Sequence, residues 1–161
     1  MILYRFGILL MIVTISNAWG QTQSSVIQSV TVEVKPISKL VVVGSPRPLM
    51  ITDAVVPSGS LAVSDESSRY SLVTNLDNMK IVASVNDGMP KGTRLTINLS
   101  SSKGASAGFV DISEATNPVD VVTGLSRTSD LNQSISYAFA ANPDVYDVPT
   151  QSRIVTLTLT D

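Results

Sequence analysis

The chain has 161 residues, enough for one domain with a substantial core, and its 11 basic and 13 acidic side chains give a formal net charge of −2. The charges occur singly, and because there is no basic stripe to neutralise phosphates, the sequence argues against a nucleic-acid partner. Cysteine and histidine are both absent, which removes disulfides, thiol chemistry, the usual general base near neutral pH and the usual zinc ligand. We therefore expect a protein that is not an enzyme and that uses no cofactor.

The first twenty residues have the layout of a secretory signal peptide. Arg5 provides a positive charge, Phe6 to Ile15 is almost wholly apolar, and Ala18-Trp19-Gly20 places small residues where a cleavage site requires them. We therefore predict cleavage after Gly20, a single domain over residues 21–161, and a secreted protein located in the periplasm, at the cell surface or outside the cell. A permanent anchor is the alternative, although the apolar run is short for a membrane span and no later stretch is long enough to be one.

The rest of the chain has the pattern of short strands separated by turns, because apolar and polar residues alternate and no helical period extends over ten residues. The predicted strands are Val30 to Lys35, Ile37 to Val43, Leu49 to Thr52, Ser68 to Asn75, Met79 to Val85, Thr93 to Ser100, Phe109 to Ile112, Ser134 to Ala141 and Ile154 to Thr160. Asp120 to Leu125 is compatible with a strand or with a single helical turn. Eight or nine short strands predict an antiparallel Ig-like β-sandwich, with a closed barrel as the alternative. The side chains predicted to be largely buried are Leu95, Ile97, Leu99, Tyr137, Phe139, Leu157 and Leu159.

Several segments carry a resemblance to known proteins. They are Val30 to Val34, the stretch around Gly104 and Gly108, Leu125 to Thr128 followed by Ser134 to Tyr137, and the terminal Val155 to Asp161. In these segments the chain resembles a group of secreted bacterial all-β proteins. It is more distantly similar to pilin-type subunits, which also carry an exposed alternating N-terminal strand and finish on an alternating C-terminal strand, although many of those contain cysteine. The resemblance implies an exported structural, adhesive or fimbria-like component and supplies no catalytic residues.

Candidate catalytic and metal-binding residues are few. Two acidic pairs are candidate calcium ligands or glycosidase carboxylates, namely Asp65 with Glu66 and Asp144 with Asp147. Neither pair fits the spacing of a twelve-residue calcium loop, and adjacent side chains on a strand point in opposite directions, so we interpret them as solvated loop charges and leave calcium binding open. Ser102 and Lys103 are neighbours, but a loop of small polar residues does not desolvate the lysine, which indicates a solvated turn rather than Ser/Lys catalysis.

Two binding functions follow from the pattern. The segment Ser25 to Lys35 is a candidate for strand addition, because Val30, Val32 and Val34 are evenly spaced apolar side chains that could fill alternate pockets while their backbone adds a strand to a neighbouring sheet. The alternative is that this strand pairs within its own domain. In strand addition, the partner would be a second copy or another envelope protein. The alternative function is a carbohydrate-binding module, for which Tyr146, in a loop rich in proline and aspartate, is the candidate ligand contact.

Overall fold

Nine strands make up the regular secondary structure in the part of the chain that the computed structural model describes, which is residues 28–52, 61–145 and 147–161. They are β1 (Ser38–Val43), β2 (Ala62–Thr74), β3 (Met79–Val85), β4 (Thr93–Leu99), β5 (Ala105–Ser106), β6 (Val110–Asp111), β7 (Val119–Leu125), β8 (Thr128–Ala141) and β9 (Val155–Thr160). All belong to one compact unit, Val34–Asp161. Of a preceding unit, Met1–Glu33, residues 28–33 are described and have no regular secondary structure, and the predicted signal peptide lies outside the described residues.

The strands form two antiparallel sheets that face each other as a β-sandwich, as predicted. The five-stranded sheet has the order β1-β2-β8-β4-β6, and the four-stranded sheet has the order β5-β7-β3-β9. Among the described residues, no helix is long and apolar enough to cross a membrane.

Alternating side chains from both sheets fill the space between them. On β4, Leu95, Ile97 and Leu99 are buried, and the register places Tyr137 opposite Ile97 and Ile135 opposite Leu99 on β8. A shift by one residue would turn this whole apolar set to solvent, so burial fixes the register. The prediction of a largely buried position is thus confirmed for Leu95, Ile97, Leu99 and Tyr137, whereas Phe139, Leu157 and Leu159 are only half-buried and pack against the margin of the core.

Two predicted strands are wrong. Residues 30–35 and 49–52 form no strand, and the first strand begins at Ser38, after Pro36. Proline has no N–H to donate to a ladder, which favours a strand that starts beyond it. The apolar residues of this alternating segment do not form a buried face in this structure, because all six residues are exposed.

Three strands differ from their predicted form because irregular pairing interrupts the period of two. The ambiguous segment at Asp120 is strand β7, in which the adjacent Val121 and Val122 are both buried beside shifts in the register with β3. β2 begins at Ala62 and β8 at Thr128, six residues earlier than predicted in each case, and the register between them shifts after Asp65. In such a bulge, two residues of one strand lie opposite one residue of the partner strand. The bulge interrupts the apolar–polar alternation from which a strand is predicted.

Candidate functional site

The edges of the sandwich are the part of the structure best suited to contact another molecule. Each sheet has two edge strands, and two of the four, β5 and β6, are only two residues long. The other two, β1 and β9, are each six residues long and, within the described parts of the chain, each pairs with a single strand. An edge strand carries a row of unpaired backbone donors and acceptors that can pair with an added strand.

On β9, the outward backbone groups can be identified from the pairing with β3. Asn86 N–H donates to the carbonyl of Ile154 at 3.1 Å, and the register continues without a shift from Val85 opposite Val155 to Lys80 opposite Thr160. Because hydrogen-bonded and non-hydrogen-bonded positions alternate in an antiparallel pair, Thr156, Thr158 and Thr160 bond to β3. The N–H and C=O groups of Val155, Leu157 and Leu159 therefore point away from β3, toward the side on which no described strand pairs with β9.

The other long edge, β1, is fixed at its start by Asn75. Ile37 N–H donates to Asn75 Oδ1 at 2.7 Å, Asn75 N–H donates to the Ile37 carbonyl at 3.2 Å, and Asn75 Nδ2 donates to the Lys35 carbonyl at 2.8 Å. By the same alternation, the outward backbone groups of β1 belong to Ser38, Leu40 and Val42. The side chain of Asn75 thus holds the chain in place directly before the first strand.

The three candidate valines lie in the segment Val30 to Lys35, which we call the valine segment. Their side chains are 76% (Val30), 85% (Val32) and 83% (Val34) exposed, and none of them belongs to a strand. The structure therefore leaves all three accessible to a partner. Residues 30–35 are not assigned to a strand.

The buried Asp130 and the Ser101-Ser102 loop form a polar cluster that sequence reasoning missed. Asp130 is 1% exposed and accepts hydrogen bonds from the Ser101 hydroxyl at 2.6 Å, the Ser102 N–H at 3.0 Å and the Ser102 hydroxyl at 2.8 Å. Burial raises the pKa of Asp130, but the hydrogen bonds from Ser101 and Ser102 lower it more, so that it lies below its ordinary value. A carboxylate that accepts these bonds is held in its ionised form. Ser102 and Lys103 are exposed, as expected for a solvated turn, and the bonds to Asp130 tie this turn to β8.

The interpretation of Asp65 as a solvated loop charge is wrong, because Asp65 lies on β2 and is buried. It accepts hydrogen bonds from the Ser67 hydroxyl at 2.6 Å and the Ser67 N–H at 3.0 Å, and Arg47 Nε lies 3.8 Å away. The hydroxyl of Ser67 lowers the pKa of Asp65 against the opposing effect of burial. Its neighbour Glu66 is exposed, as expected for adjacent side chains on a strand.

The second acidic pair fits the interpretation as loop charge. Asp144 and Asp147 are both exposed and lie in the segment between β8 and β9. Across residues 28–52, 61–145 and 147–161, no three acidic, histidine or cysteine side chains come together as a metal site would require.

The aromatic residues, which are the candidates for sugar binding, differ in exposure within the described parts of the chain. Tyr146 lies outside the described residues. Tyr70 is fully buried and donates its hydroxyl hydrogen bond to the Ser100 carbonyl at 2.6 Å, and burial raises the pKa of Tyr70 to about 12. Phe109, next to the edge strand β6, is 56% exposed. Sequence reasoning missed this exposed ring, although the preceding Gly108, with a φ of 72°, was a signal of a turn.

Two open depressions occur on the surface of the described residues. The first, of about 410 Å³, lies at the C-terminal end of β9, and its lining residues are Leu76, Asp77, Met79, Leu159, Thr160 and Asp161. The second, of about 350 Å³, follows β6, and its lining residues are Asp111, Ser113, Glu114, Ala115, Asn117 and Val119. Neither depression is lined by Asp65 or Asp130.

No match to this chain was found among protein-family models, curated proteins or solved structures.

Proposed function

We propose that this protein is an exported, non-enzymatic structural or adhesive component of the cell envelope or extracellular matrix, and that it assembles by strand addition with the valine segment as the added strand. The observation that carries the proposal is the exposure of Val30, Val32 and Val34, which are between 76% and 85% exposed at alternate positions. The two long edges β1 and β9 offer the kind of surface on which such a segment can pair.

Strand addition combines two favourable terms. Full burial of a valine side chain contributes roughly 1.5–3 kcal/mol, and three valines on one face would be buried together, while the backbone of the segment completes a ladder. Ordering the segment opposes these terms by about 1–2 kcal/mol for each residue fixed. Association by this route therefore requires the valines to enter pockets, which makes their side chains the right target for a test.

The test replaces Val30, Val32 and Val34 together by serine and measures the oligomeric state by analytical ultracentrifugation. Oligomers of the unchanged protein should be lost in this variant, while circular dichroism remains that of the folded sandwich. The control is Leu131→Ser, because Leu131 is 60% exposed but lies on the central strand β8. A deletion of residues 21–35 should behave like the triple variant. The proposal fails if the unchanged protein is monomeric at high concentration or if the triple variant still assembles.

Export is tested separately by the intact mass of the protein recovered from the cell envelope and the medium. Cleavage after Gly20 predicts a mature chain that starts at Gln21. A species in the envelope that retains Met1 would indicate an anchor and would contradict a released protein.

Sugar binding is a second candidate function, and the exposed ring of Phe109 is the observation that favours it. Aromatic rings bind sugars by stacking, so a carbohydrate-binding protein should lose affinity for a soluble polysaccharide in Phe109→Ala. Calorimetric titration with polysaccharides, compared with Leu131→Ala, distinguishes this function from strand addition, because the valine substitutions leave Phe109 in place.

A further inference from the structure

We propose that β9 is a homotypic interface, through which two copies of the chain pair antiparallel about a two-fold axis at Leu157 and join their four-stranded sheets into one. β9 is a different element from the valine segment, so this pairing does not depend on the proposed function. It identifies the partner of one of the two long edges as a second copy of this chain.

The outward backbone groups of β9 are complementary to themselves. Val155, Leu157 and Leu159 direct their N–H and C=O groups away from β3, as the bond from Asn86 to Ile154 and the unbroken register require. In an antiparallel pair centred on Leu157, this residue faces Leu157 of the second copy, and Val155 faces Leu159 of the second copy. Every outward donor on this edge then meets an outward acceptor.

The strand also lacks the features that keep edge strands apart. Val155 to Thr160 contains no charged residue, no proline and no glycine, and its register with β3 has no bulge. Edge strands of monomeric proteins are normally short, charged or bulged, and β5 and β6 fit that description through their length. On the outer face, the proposed register places Thr156 opposite Thr158 of the second copy, a favourable cross-strand pair.

The depression at the end of β9 gives this interface a place for a side chain. Leu76, Met79 and Leu159 provide its apolar lining. Because residues directly opposite each other share one face, Val155 of the second copy would project beside Leu159 and reach this depression. The two-fold axis produces the same contact twice, which gives the paired edge an apolar contact in addition to its hydrogen bonds.

The charges next to the strand agree with the two-fold register. Arg153 precedes β9 and Asp161 follows it, and the same register places Arg153 opposite Asp161 of the second copy at both ends. Arg153 Nη2 donates to the Gly88 carbonyl at 2.7 Å and lies 4.0 Å from Asp87, so the guanidinium has an intramolecular role as well. No two like charges face each other along the paired strands.

Disulfide trapping tests the register directly, because the chain contains no cysteine of its own. Hydrogen-bonded antiparallel partners have Cα atoms about 5.5 Å apart, which a disulfide can bridge. Leu157→Cys should therefore cross-link to itself under mild oxidation, about tenfold faster than the exposed control Leu131→Cys, because pairing raises the effective concentration of the two thiols.

Two further variants keep the test valid if Leu157→Cys fails to fold. A mixture of Val155→Cys and Leu159→Cys proteins should form a cross-linked heterodimer, whereas neither variant alone should cross-link to itself, because its two copies of the cysteine would lie about 14 Å apart along the strand. Circular dichroism and non-reducing gels check folding and cross-linking for each variant.

The outcomes separate this interface from the valine segment. Cross-linking of Leu157→Cys that persists when Val30, Val32 and Val34 are replaced by serine supports pairing through β9, whether or not the valine segment assembles. Cross-linking that disappears in that background, or that occurs instead at Val42→Cys on β1, overturns it. Equal rates for Leu157→Cys and Leu131→Cys would show random collision and would also overturn it.

Discussion

Asp130 and Ser102 are joined by two hydrogen bonds that use both oxygens of the carboxylate. The Ser102 hydroxyl donates to Oδ1 at 2.8 Å and the Ser102 N–H donates to Oδ2 at 3.0 Å, across 28 positions of sequence. The pair connects the loop after β4 to the first part of β8. The serine that could have been taken for a nucleophile is thus a donor to a buried carboxylate, and its role is to hold the loop in place.

Replacing Asp130 by alanine should destabilise the sandwich by about 1–3 kcal/mol, because it removes the hydrogen bonds that the buried carboxylate accepts from Ser101 and Ser102. The measurement is the free energy of unfolding in urea. Asp144→Ala is the matched control, because Asp144 is exposed and its removal should change stability by no more than about 0.5 kcal/mol. Equal effects for the two variants would contradict a structural role for Asp130.

Stability should decrease in acid, and Asp130 should contribute to the decrease. The hydrogen bonds from Ser101 and Ser102 outweigh burial and hold the native pKa of Asp130 below its ordinary value, so the unfolded chain binds the proton more readily than the native one. The stabilisation is present in full above the unfolded value of about 3.9 and is lost as the pH falls through the lower native pKa. Urea melts between neutral and acid pH should show a weaker dependence in Asp130→Asn, but not its disappearance, because the pKa values of Asp65 and Asp111 are also lowered.

Truncation to alanine should change the free energy of unfolding strongly at one residue of β8 and hardly at all at another. Ile135 is fully buried, so Ile135→Ala should reduce the free energy of unfolding by about 2–5 kcal/mol. Leu131, four residues earlier on the same strand, is 60% exposed, and Leu131→Ala should stay within about 0.5 kcal/mol of the unchanged protein. A large loss at Leu131 would mean that this surface is covered in solution, for example by a second copy.

Gly104 should not tolerate a side chain. A Cβ atom there would lie 2.7 Å from the Thr123 carbonyl oxygen and 2.9 Å from side-chain atoms of Leu125 and Val122. The backbone contact cannot be relieved by rotating a side chain, so Gly104→Ala should cost about 1–3 kcal/mol through overpacking. Ala105→Ser, at the next position and exposed, is the control, and similar thermal midpoints for both variants would count against this close approach.

The sequence predicted the fold class and the regular strands but not the irregular ones. β3 has the predicted bounds, and β4 and β9 each differ from them by one terminal residue. In β4 and β9, strict alternation reports directly which face of the strand is buried. Bulges obscured β2, β7 and the start of β8, since an extra residue breaks the period of two. The alternation of residues 30–35 was misleading for the opposite reason, because a regular pattern without a partner strand forms no ladder.

The candidate sites depended on contacts that local sequence does not contain. Asp130 was overlooked because a charged residue is normally exposed, and its serine partners lie 28 and 29 positions earlier. The position of β9 at an edge of the described sheet depends on which strands pair with β3, a property of the whole topology. Val30, Val32 and Val34 are exposed and not assigned to a strand, whereas their alternation predicted a half-buried strand.

The first residue of β1 and the last residue of β9 lie at the same end of the sandwich. Ser38 is opposite Thr74 and Thr160 is opposite Lys80, while the segment between β2 and β3 is four residues long. The start of β1 and the end of β9 are therefore at the same end of the sandwich as the turn between β2 and β3. A domain whose first and last strands end close together can be inserted into a surface loop of another protein without separating the two ends of that loop. The same proximity makes the sandwich suitable for circular permutation.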